Sequence, residues 1–403
     1  MSKLAINGGS PVRTAASSPW PVYGPEEEKA LSHVVYAGEW GTLGHADQQF
    51  AQEFTQYVGT DYGMLVSSGT VALELILRSL GIGYGDEVIV PAYTFVATVS
   101  AVGMVGATPV LADIELPTCN IDPLEIERLI TDKTKAVIVV HIGGHPCKME
   151  NIMAIAKRHG IYVIEDAAHA HGGKCNGKRL GAIGNAGSFS FQSSKNLTAG
   201  EGGAIMTDSR SIYENCWRYH HSGRAISGSS EFGGLVLLGS NARITEFQAS
   251  VLSEQLKRLD DQVTKRNANA RYLREKLQGI AGLSLPPEAD DHSLNAYHLF
   301  TLLLEQSEYM NRDRWLASLN DQGIPAYAGY TNLAKMGFLD MKNENFRKST
   351  ASTIDYAALR LHNTELAVAS AIWLHGSVLL GEQEDMDHIA KGFWKASEAV
   401  SQR

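Results

Sequence analysis

Short apolar runs separated by segments of helical spacing fill the first half of this chain. EVIVP, PVLAD, KAVIVVH and YVIED read as strands, and Ala97 to Val105, LEIERLI and MENIMAIAKRHG between them read as helices. Such an alternation, with short connections, predicts a doubly wound, mostly parallel α/β sheet covered on both faces. Upstream, MLVSSGTVALELILRSLGI reads as a strand, a turn and a helix. Two helices precede it. One starts at Pro25 with Glu26, Glu27 and Glu28, where the dipole favours negative charge, and continues through Ala30, Leu31, Val34 and Val35; the other runs from about Ala46 to Val58. The Gly-, Ser-, Thr- and Pro-rich residues through Tyr23 predict an arm that takes its shape from what it packs on.

From Ile244 to about Ile280 the helical period continues with few breakers. That is too long for one ordinary globular helix, and predicts a long or kinked connector to a second domain. The expected division is 1–255 for the larger unit with its arm and 256–403 for a smaller α+β unit. In the latter AYHLFTLLL is strand-like, while RDRWLASLNDQG and DMDHIAKGFWKASEAV are helical. No internal repeat or low-complexity tract interrupts the pattern.

A length of 403 residues allows about two to three domains, and 44% hydrophobic with 20% charged residues is ordinary globular composition. The net charge of -9, with no run rich in Lys or Arg, argues against a nucleic-acid partner. Cys119, Cys147, Cys175 and Cys216 are widely spaced and form no C-x-x-C pair, so neither a metal site nor a disulfide framework is expected. They suit a reducing cytosol. The first residues lack the apolar core of a signal peptide, and no stretch approaches the roughly 20 apolar residues of a membrane helix, so a cytoplasmic protein without a membrane partner is expected.

Candidate chemistry concentrates between Tyr162 and Gly203. The apolar run Tyr162-Val163-Ile164 ends in Glu165 and Asp166, which places charge at the carboxyl end of a buried strand, where open α/β sheets bind ligands. A glycine-rich passage leads to SFSF, a second short strand, and then to Lys195 in SSKNLTAGEGG, a setting unlike a solvated helix face. A carboxylate and a lysine on neighbouring strand ends suit pyridoxal 5'-phosphate, which needs an amine for its Schiff base and an anion beside its ring nitrogen. They are equally readable as an ion pair or as unrelated loop residues. At the turn Ser67-Ser68-Gly69-Thr70, N–H groups and hydroxyls could meet an anion, or simply cap the helix. Phe95 in PAYTFVAT could stack on a flat ring or fill the core.

Beyond these single signals, the chain resembles the DegT/StrS family of pyridoxal-phosphate aminotransferases acting on keto sugars and cyclitols. The resemblance runs in order through AINGGSPVR, AGEWGTLG, VSSGTVALELIL, GDEVIVPAYTFVAT, IAKRHGIYVIEDAAHAHG, FSFQSSKNLTAGEGGA, LGSNARITEFQASVL and WLHGSVLLG. It implies the type I fold of aspartate aminotransferase, a large cofactor-binding domain and a small C-terminal one. It also implies Lys195 as the Schiff-base lysine and catalytic acid/base, and Asp166 as partner of the ring nitrogen. His169, where the family often has Gln, is expected by the cofactor's phenolic oxygen, Phe95 against the ring, and Gly69, Thr70 and Ser190 around the phosphate. Asn241 matches an asparagine that reaches the neighbouring subunit's phosphate, which implies a homodimer with shared sites. Arg243 and Glu246 belong to the same motif as structural or substrate-side residues. His220 and His221 fall in a segment that approaches the partner's site, and a surface role suits them as well.

The resemblance implies amine transfer from glutamine or glutamate to the ketone of a nucleotide-linked sugar or a cyclitol, with the AINGGSPVR, SNAR and WLHGSVLLG segments nearest the aminocyclitol and aminohydroxybenzoate branch. Two alternatives stand beside it: a lysine-retaining dehydratase or eliminase, and a non-catalytic regulator. The intact Asp166, His169, Ser190 and Lys195 set, and the lack of a basic domain, weigh against the regulator.

Overall fold

The computed structural model describes residues 9–14, 19–41, 44–226, 234–290, 292–340 and 342–401; the rest of the expected arm, 1–8 and 15–18, lies outside them. The chain runs α1 (Pro25–Ala37), α2 (His45–Val58), β1 (Tyr62–Val66), α3 (Gly69–Ser79), β2 (Glu87–Pro91), α4 (Val96–Met104) and β3 (Thr108–Ala112). It continues through α5 (Pro123–Leu129), β4 (Thr134–Val140), α6 (Met149–His159), β5 (Tyr162–Asp166), a small hairpin of β6 (Lys174–Cys175) and β7 (Lys178–Arg179), β8 (Ala186–Ser190), β9 (Gly203–Thr207) and α7 (Arg210–His220). These strands, apart from the hairpin, form a seven-stranded sheet of order β1-β9-β8-β5-β4-β2-β3. β9 runs antiparallel to both neighbours and the remaining pairings are parallel. The strands expected from EVIVP, PVLAD, KAVIVVH and YVIED are β2 to β5. β9, GAIMT, was not among the expected strands: its apolar run is only three residues long, and a glycine opens it.

The connector is kinked rather than continuous. α8 (Glu246–Leu256) and α9 (Leu259–Leu277) break at Lys257 and Arg258 without Gly or Pro. Arg258 leaves helical geometry at φ -107 and ψ 0, and its guanidinium reaches Glu27 Oε1 at 2.6 Å and the Val22 carbonyl at 3.1 Å. α9, α10 (Arg312–Asp321) and α13 (Gln383–Ser401) cover an antiparallel sheet of order β10-β11-β13-β12, from Leu283–Ser284, Leu299–Leu304, Ala371–His375 and Ala326–Ala328. Leu273, Phe300, Trp315, Ile372 and Phe393 fill its core. Between β12 and β13 the chain, which includes α11 (Glu344–Ser349) and α12 (His362–Ser370), returns to the larger sheet, where Leu333, Leu339, Tyr356 and Leu361 join the core built on β2 and α3.

Strand alternation sends the two adjacent carboxylates at the end of β5 in opposite directions. Glu165 is fully buried, and its Oε1 accepts from the N–H groups of Ile183 and Gly184 (both 2.6 Å). Its Oε2 accepts from Gly181 N–H at 2.8 Å and meets His141 Nε2 at 3.0 Å. Burial alone would push this carboxyl up. The His141 side chain and the N–H groups of Gly184 and Gly181 outweigh burial and hold it below its usual value. Glu165→Gln keeps the volume but turns one acceptor into a donor facing donors, so a loss on the order of 3 kcal/mol is expected in urea unfolding at unchanged m-value. A carboxyl held low contributes stability that disappears as pH falls through its folded pKa, so the variant's stability should also fall less than the native protein's in acid. A loss under about 1 kcal/mol would mean the cluster is not a structural anchor.

Candidate active site

The carboxyl ends of β1, β2, β5 and β8 meet at one edge of the large sheet, over a cavity of about 460 Å³. Gly69, Thr70, Phe95, Asp166, His169, Ser190 and Lys195 all line it. Asn241, the other residue expected at the cofactor, does not line it, and neither do Arg243, Glu246, His220 and His221.

Asp166 points into the cavity from the end of β5. Its Oδ2 accepts from Thr98 Oγ1 at 2.9 Å, and its Oδ1 from the Ala168 N–H at 3.2 Å. Thr94 Oγ1 sits 3.1 Å from Thr98 Oγ1 and extends the chain of hydroxyls. Burial pushes the Asp166 carboxyl above its ordinary value, while Thr98, the Ala168 N–H and the charge of Lys195 pull it back. A buried carboxylate held this way wants a cationic partner.

Lys195 lies in the loop after β8, and three distant segments hold that loop. Trp20 Nε1 donates to the Ser193 carbonyl at 3.0 Å, His375 Nε2 bonds the Ser194 carbonyl at 2.9 Å, and Asn196 Nδ2 donates to the Ala296 carbonyl at 2.7 Å. Burial lowers the Lys195 amine to about 8, against the opposing pull of Asp166. Roughly a tenth of it is therefore unprotonated at pH 7, far more than an ordinary lysine.

At the other end, Ser68 caps α3 by accepting from Val71 N–H at 3.2 Å, so the bland reading of that turn holds for Ser68. The first N–H groups of the helix, on Gly69 and Thr70, have no intrahelical partner by position and remain for an anion. Gly69 is required here: a Cβ would fall 2.8 Å from Ser190 Cβ, so only glycine lets α3 start against β8. Phe95, the residue before α4, is 58% exposed on the cavity wall, which sets aside the core reading.

His169 is buried, with Nδ1 accepting from Gly143 N–H at 3.3 Å, Nε2 at 3.3 Å from Tyr330 Oη, and its ring 4.3 Å from that of His298. Burial, then the charge of Lys195, holds it well below the usual imidazole range, so it is neutral.

Outside the cavity, Asn241 is exposed, and among the described residues its Oδ1 accepts only from Arg243 N–H, at 3.4 Å. Glu246 is structural: it accepts from the N–H groups of Ala46 (2.7 Å) and Asp47 (3.2 Å) and caps α2 from a distance. The surface reading of His220 and His221 fails, since both are buried; they close α7, where the Trp217 ring stacks on His221 at 4.7 Å.

Thr98, Gln192, Glu201, His298, Tyr330 and Trp373 also bear on the site and were not singled out from sequence. The i, i+4 spacing of Thr94 and Thr98 in PAYTFVAT could have found Thr98. Tyr330 stands 161 residues from His169, too far for any local signal.

The donor set fits pyridoxal phosphate. An anion site at a helix start, an exposed aromatic wall, a buried carboxylate in no ion pair among the described residues and an amine of lowered pKa each answer one part of it.

The DegT/DnrJ/EryC1/StrS aminotransferase family matches residues 22–393. The chain is 34% identical to the L-glutamine:2-deoxy-scyllo-inosose aminotransferase of Streptomyces paromomycinus, over 97% of each sequence. It is 32% identical to the 3-amino-5-hydroxybenzoate synthase of Amycolatopsis mediterranei, over 92% of this chain and 95% of that one. A crystal structure of 3-amino-5-hydroxybenzoic acid synthase superposes with a TM-score of 0.88 at 31% identity, covering 96% of this chain and all of the other.

Because the neutral amine is the nucleophile, the rate at which cofactor-free protein takes up pyridoxal phosphate should rise with pH and level off above about 8. Borohydride reduction and peptide mapping should then place the pyridoxyl group on Lys195. A rate still climbing toward pH 10, or a label on another lysine, would remove Lys195 from this role.

Proposed function

The chain belongs to the DegT/DnrJ/EryC1/StrS aminotransferase family and is a pyridoxal-phosphate-dependent transaminase of the type I fold; within it, we propose that it moves the amino group of glutamine onto the ketone of a cyclitol. The observation that carries this reading is Asp166 and Lys195 facing one cavity, in a chain whose curated relatives are named as glutamine:cyclitol aminotransferases. Glutamate as donor and a nucleotide-linked keto sugar as acceptor are the nearest variants of it.

When bound, pyridoxal phosphate supplies an aldehyde for an amine and a ring that draws electron density from the carbon attached to that amine. Lys195 would hold it covalently through Nζ. Gly69, Thr70 and Ser190 would hold the phosphate, Phe95 the face of the ring and Asp166 the proton on the ring nitrogen. His169 would stand by the phenolic oxygen. The Nζ of Lys195, when not bonded to the cofactor, would take the proton from the donor Cα; its lowered pKa brings it nearer the operating pH. The same amine would return a proton to the former ketone carbon of the acceptor as that carbon gains its amino group. Both half-reactions use one site, so ping-pong kinetics follow.

The test is to incubate the loaded enzyme with glutamine or glutamate against 2-deoxy-scyllo-inosose and a nucleotide-linked keto sugar, and read products by mass. An amine in place of the cyclitol ketone is expected, and Asp166→Asn should lower turnover by on the order of a hundredfold or more, because an amide cannot keep the ring nitrogen protonated. Loss of water instead of gain of an amine would sink the transfer reading.

We also propose a homodimer with shared sites. Asn241 is exposed, outside its own cavity, and flanked by the exposed apolar side chains Leu235 (72%), Val236 (57%) and Leu238 (97%). If Asn241 serves a neighbour's phosphate, mixing inactive Lys195→Ala with weakened Asn241→Ala chains should create heterodimers with one native site. The Asn241→Ala chain supplies its lysine and the Lys195→Ala chain its asparagine. Activity above the sum of the parents supports sharing; no gain despite demonstrated subunit exchange refutes it.

A further inference from the structure

A polar chain on the cavity wall runs from the backbone through His169 to Tyr330. Gly143 (φ +64) and Gly144 (φ +94) form a left-handed turn after β4 that aims the Gly143 N–H at His169 Nδ1. A Cβ on Gly144 would fall 2.9 Å from the His169 carbonyl, so the turn is packed directly against the residue it orients. A backbone N–H only donates, which makes Nδ1 the unprotonated nitrogen of a neutral ring and puts the proton on Nε2. The group facing Nε2 is Tyr330 Oη, at 3.3 Å. Tyr330 Oη therefore accepts from His169, and its own proton is directed away from it. Among the described residues no other hydrogen bond to this phenol is made, and Tyr330 lines the cavity.

Its ring is fixed, packed edge-on against Trp373 at 4.8 Å and Tyr93 at 5.8 Å. Burial raises its pKa, so it stays a neutral donor, and accepting one hydrogen bond strengthens the one it donates. On the same wall His298 is 4% exposed with Nδ1 buried and unpartnered. Lys195 is the only cationic side chain lining the cavity among the described residues. A fixed neutral donor such as Tyr330 suits a hydroxyl better than a carboxylate or a diphosphate, which would call for cations.

We propose that Tyr330, oriented by the Gly143–His169 pair, donates a hydrogen bond to a ring hydroxyl of the acceptor and is a specificity-determining residue for the second half-reaction. This rests on the reading of the chain as a transaminase with a polyhydroxylated acceptor. A site built to bond a hydroxyl discriminates against ketones that lack it.

Two measurements test it. Long-range proton–nitrogen correlation spectra of the ¹⁵N-labelled protein, with and without cofactor, should show the ring whose signals vanish in His169→Gln as the Nε2–H tautomer; a proton on Nδ1, or an imidazolium at pH 7, overturns the proposal. Half-reactions are then followed separately by absorbance, glutamine against the pyridoxal phosphate enzyme and 2-deoxy-scyllo-inosose against enzyme loaded with pyridoxamine phosphate. Tyr330→Phe should slow the acceptor half about ten- to a hundredfold more than the donor half, an excess absent with cyclohexanone. His169→Gln, whose amide can accept from Gly143 and donate to Tyr330, should keep the native ratio. Equal slowing of both halves by Tyr330→Phe overturns the proposal and leaves the transaminase reading standing. A native enzyme that takes the amine from glutamine but gives none to the cyclitol ketone overturns the acceptor reading and the proposal with it, and native enzyme alone tells these failures apart.

Discussion

A carboxylate and an amine buried in one cavity constrain the structure around them. An isolated charge moved out of water costs several kcal/mol, and each of these two offsets part of the other's penalty. Burial pushes Asp166 up and Lys195 down to about 8, and each is the other's opposing influence. The balance brings the Lys195 amine near the operating pH, which a scaffold meant only for stability would avoid. The Thr98 hydroxyl and the Ala168 N–H supply what the amine does not. Since Thr98 is in the first turn of α4, the helix that presents Phe95 also props up the carboxylate.

The end of β5 does this work twice. Asp166 faces the cavity while Glu165 faces away and gathers the N–H groups of Gly181, Ile183 and Gly184, the residues that lead into β8. β8 then pairs with β5 in parallel, Asp166 opposite Ser188, and delivers Ser190 and the Lys195 loop to the same edge. The spacing of carboxylate and amine is therefore set by one structural carboxylate that touches neither. Trp20 and His375 finish the placement by holding the carbonyls of Ser193 and Ser194.

The parts of this that local sequence encodes were readable from it. An apolar run buried on both faces marks a strand, so β2 to β5 stood out, and a lysine among Ser, Asn and Gly does not fit a solvated helix. β9 was not legible, because only Ala204, Ile205 and Met206 form its apolar run after a glycine-rich loop, and its partner β1 lies far along the chain. The kink at Arg258 was not, because a long-range hydrogen bond to Glu27 makes it and no breaker residue does. The surface reading of His220 and His221 failed because α7 packs on α3 and β1, contacts that helical period alone does not reveal. Tyr330, His298 and Trp373 reach the cavity from the smaller sheet and its loops, so only the folded chain brings them beside Asp166.

The cavity's charges bear on where the donor is held. Asp166 and Glu201 line it, and Lys195 is its only cationic wall residue among those described. In the proposed reaction that lysine is engaged with the cofactor, which leaves no cation of this wall for a glutamine carboxylate. A like-charged ligand would be repelled unless a counter-charge came from elsewhere. Arg243 is half-buried with Nη1 unpartnered, two residues from exposed Asn241, on a segment outside its own cavity. A guanidinium whose Nη1 is buried without a hydrogen-bond partner among the described residues, although its charge reaches Asp47, makes physical sense if a second chain completes its surroundings. On that reading the sharing proposed for Asn241 would extend to the donor's carboxylate, and glutamine binding, more than the acceptor's, would depend on assembly.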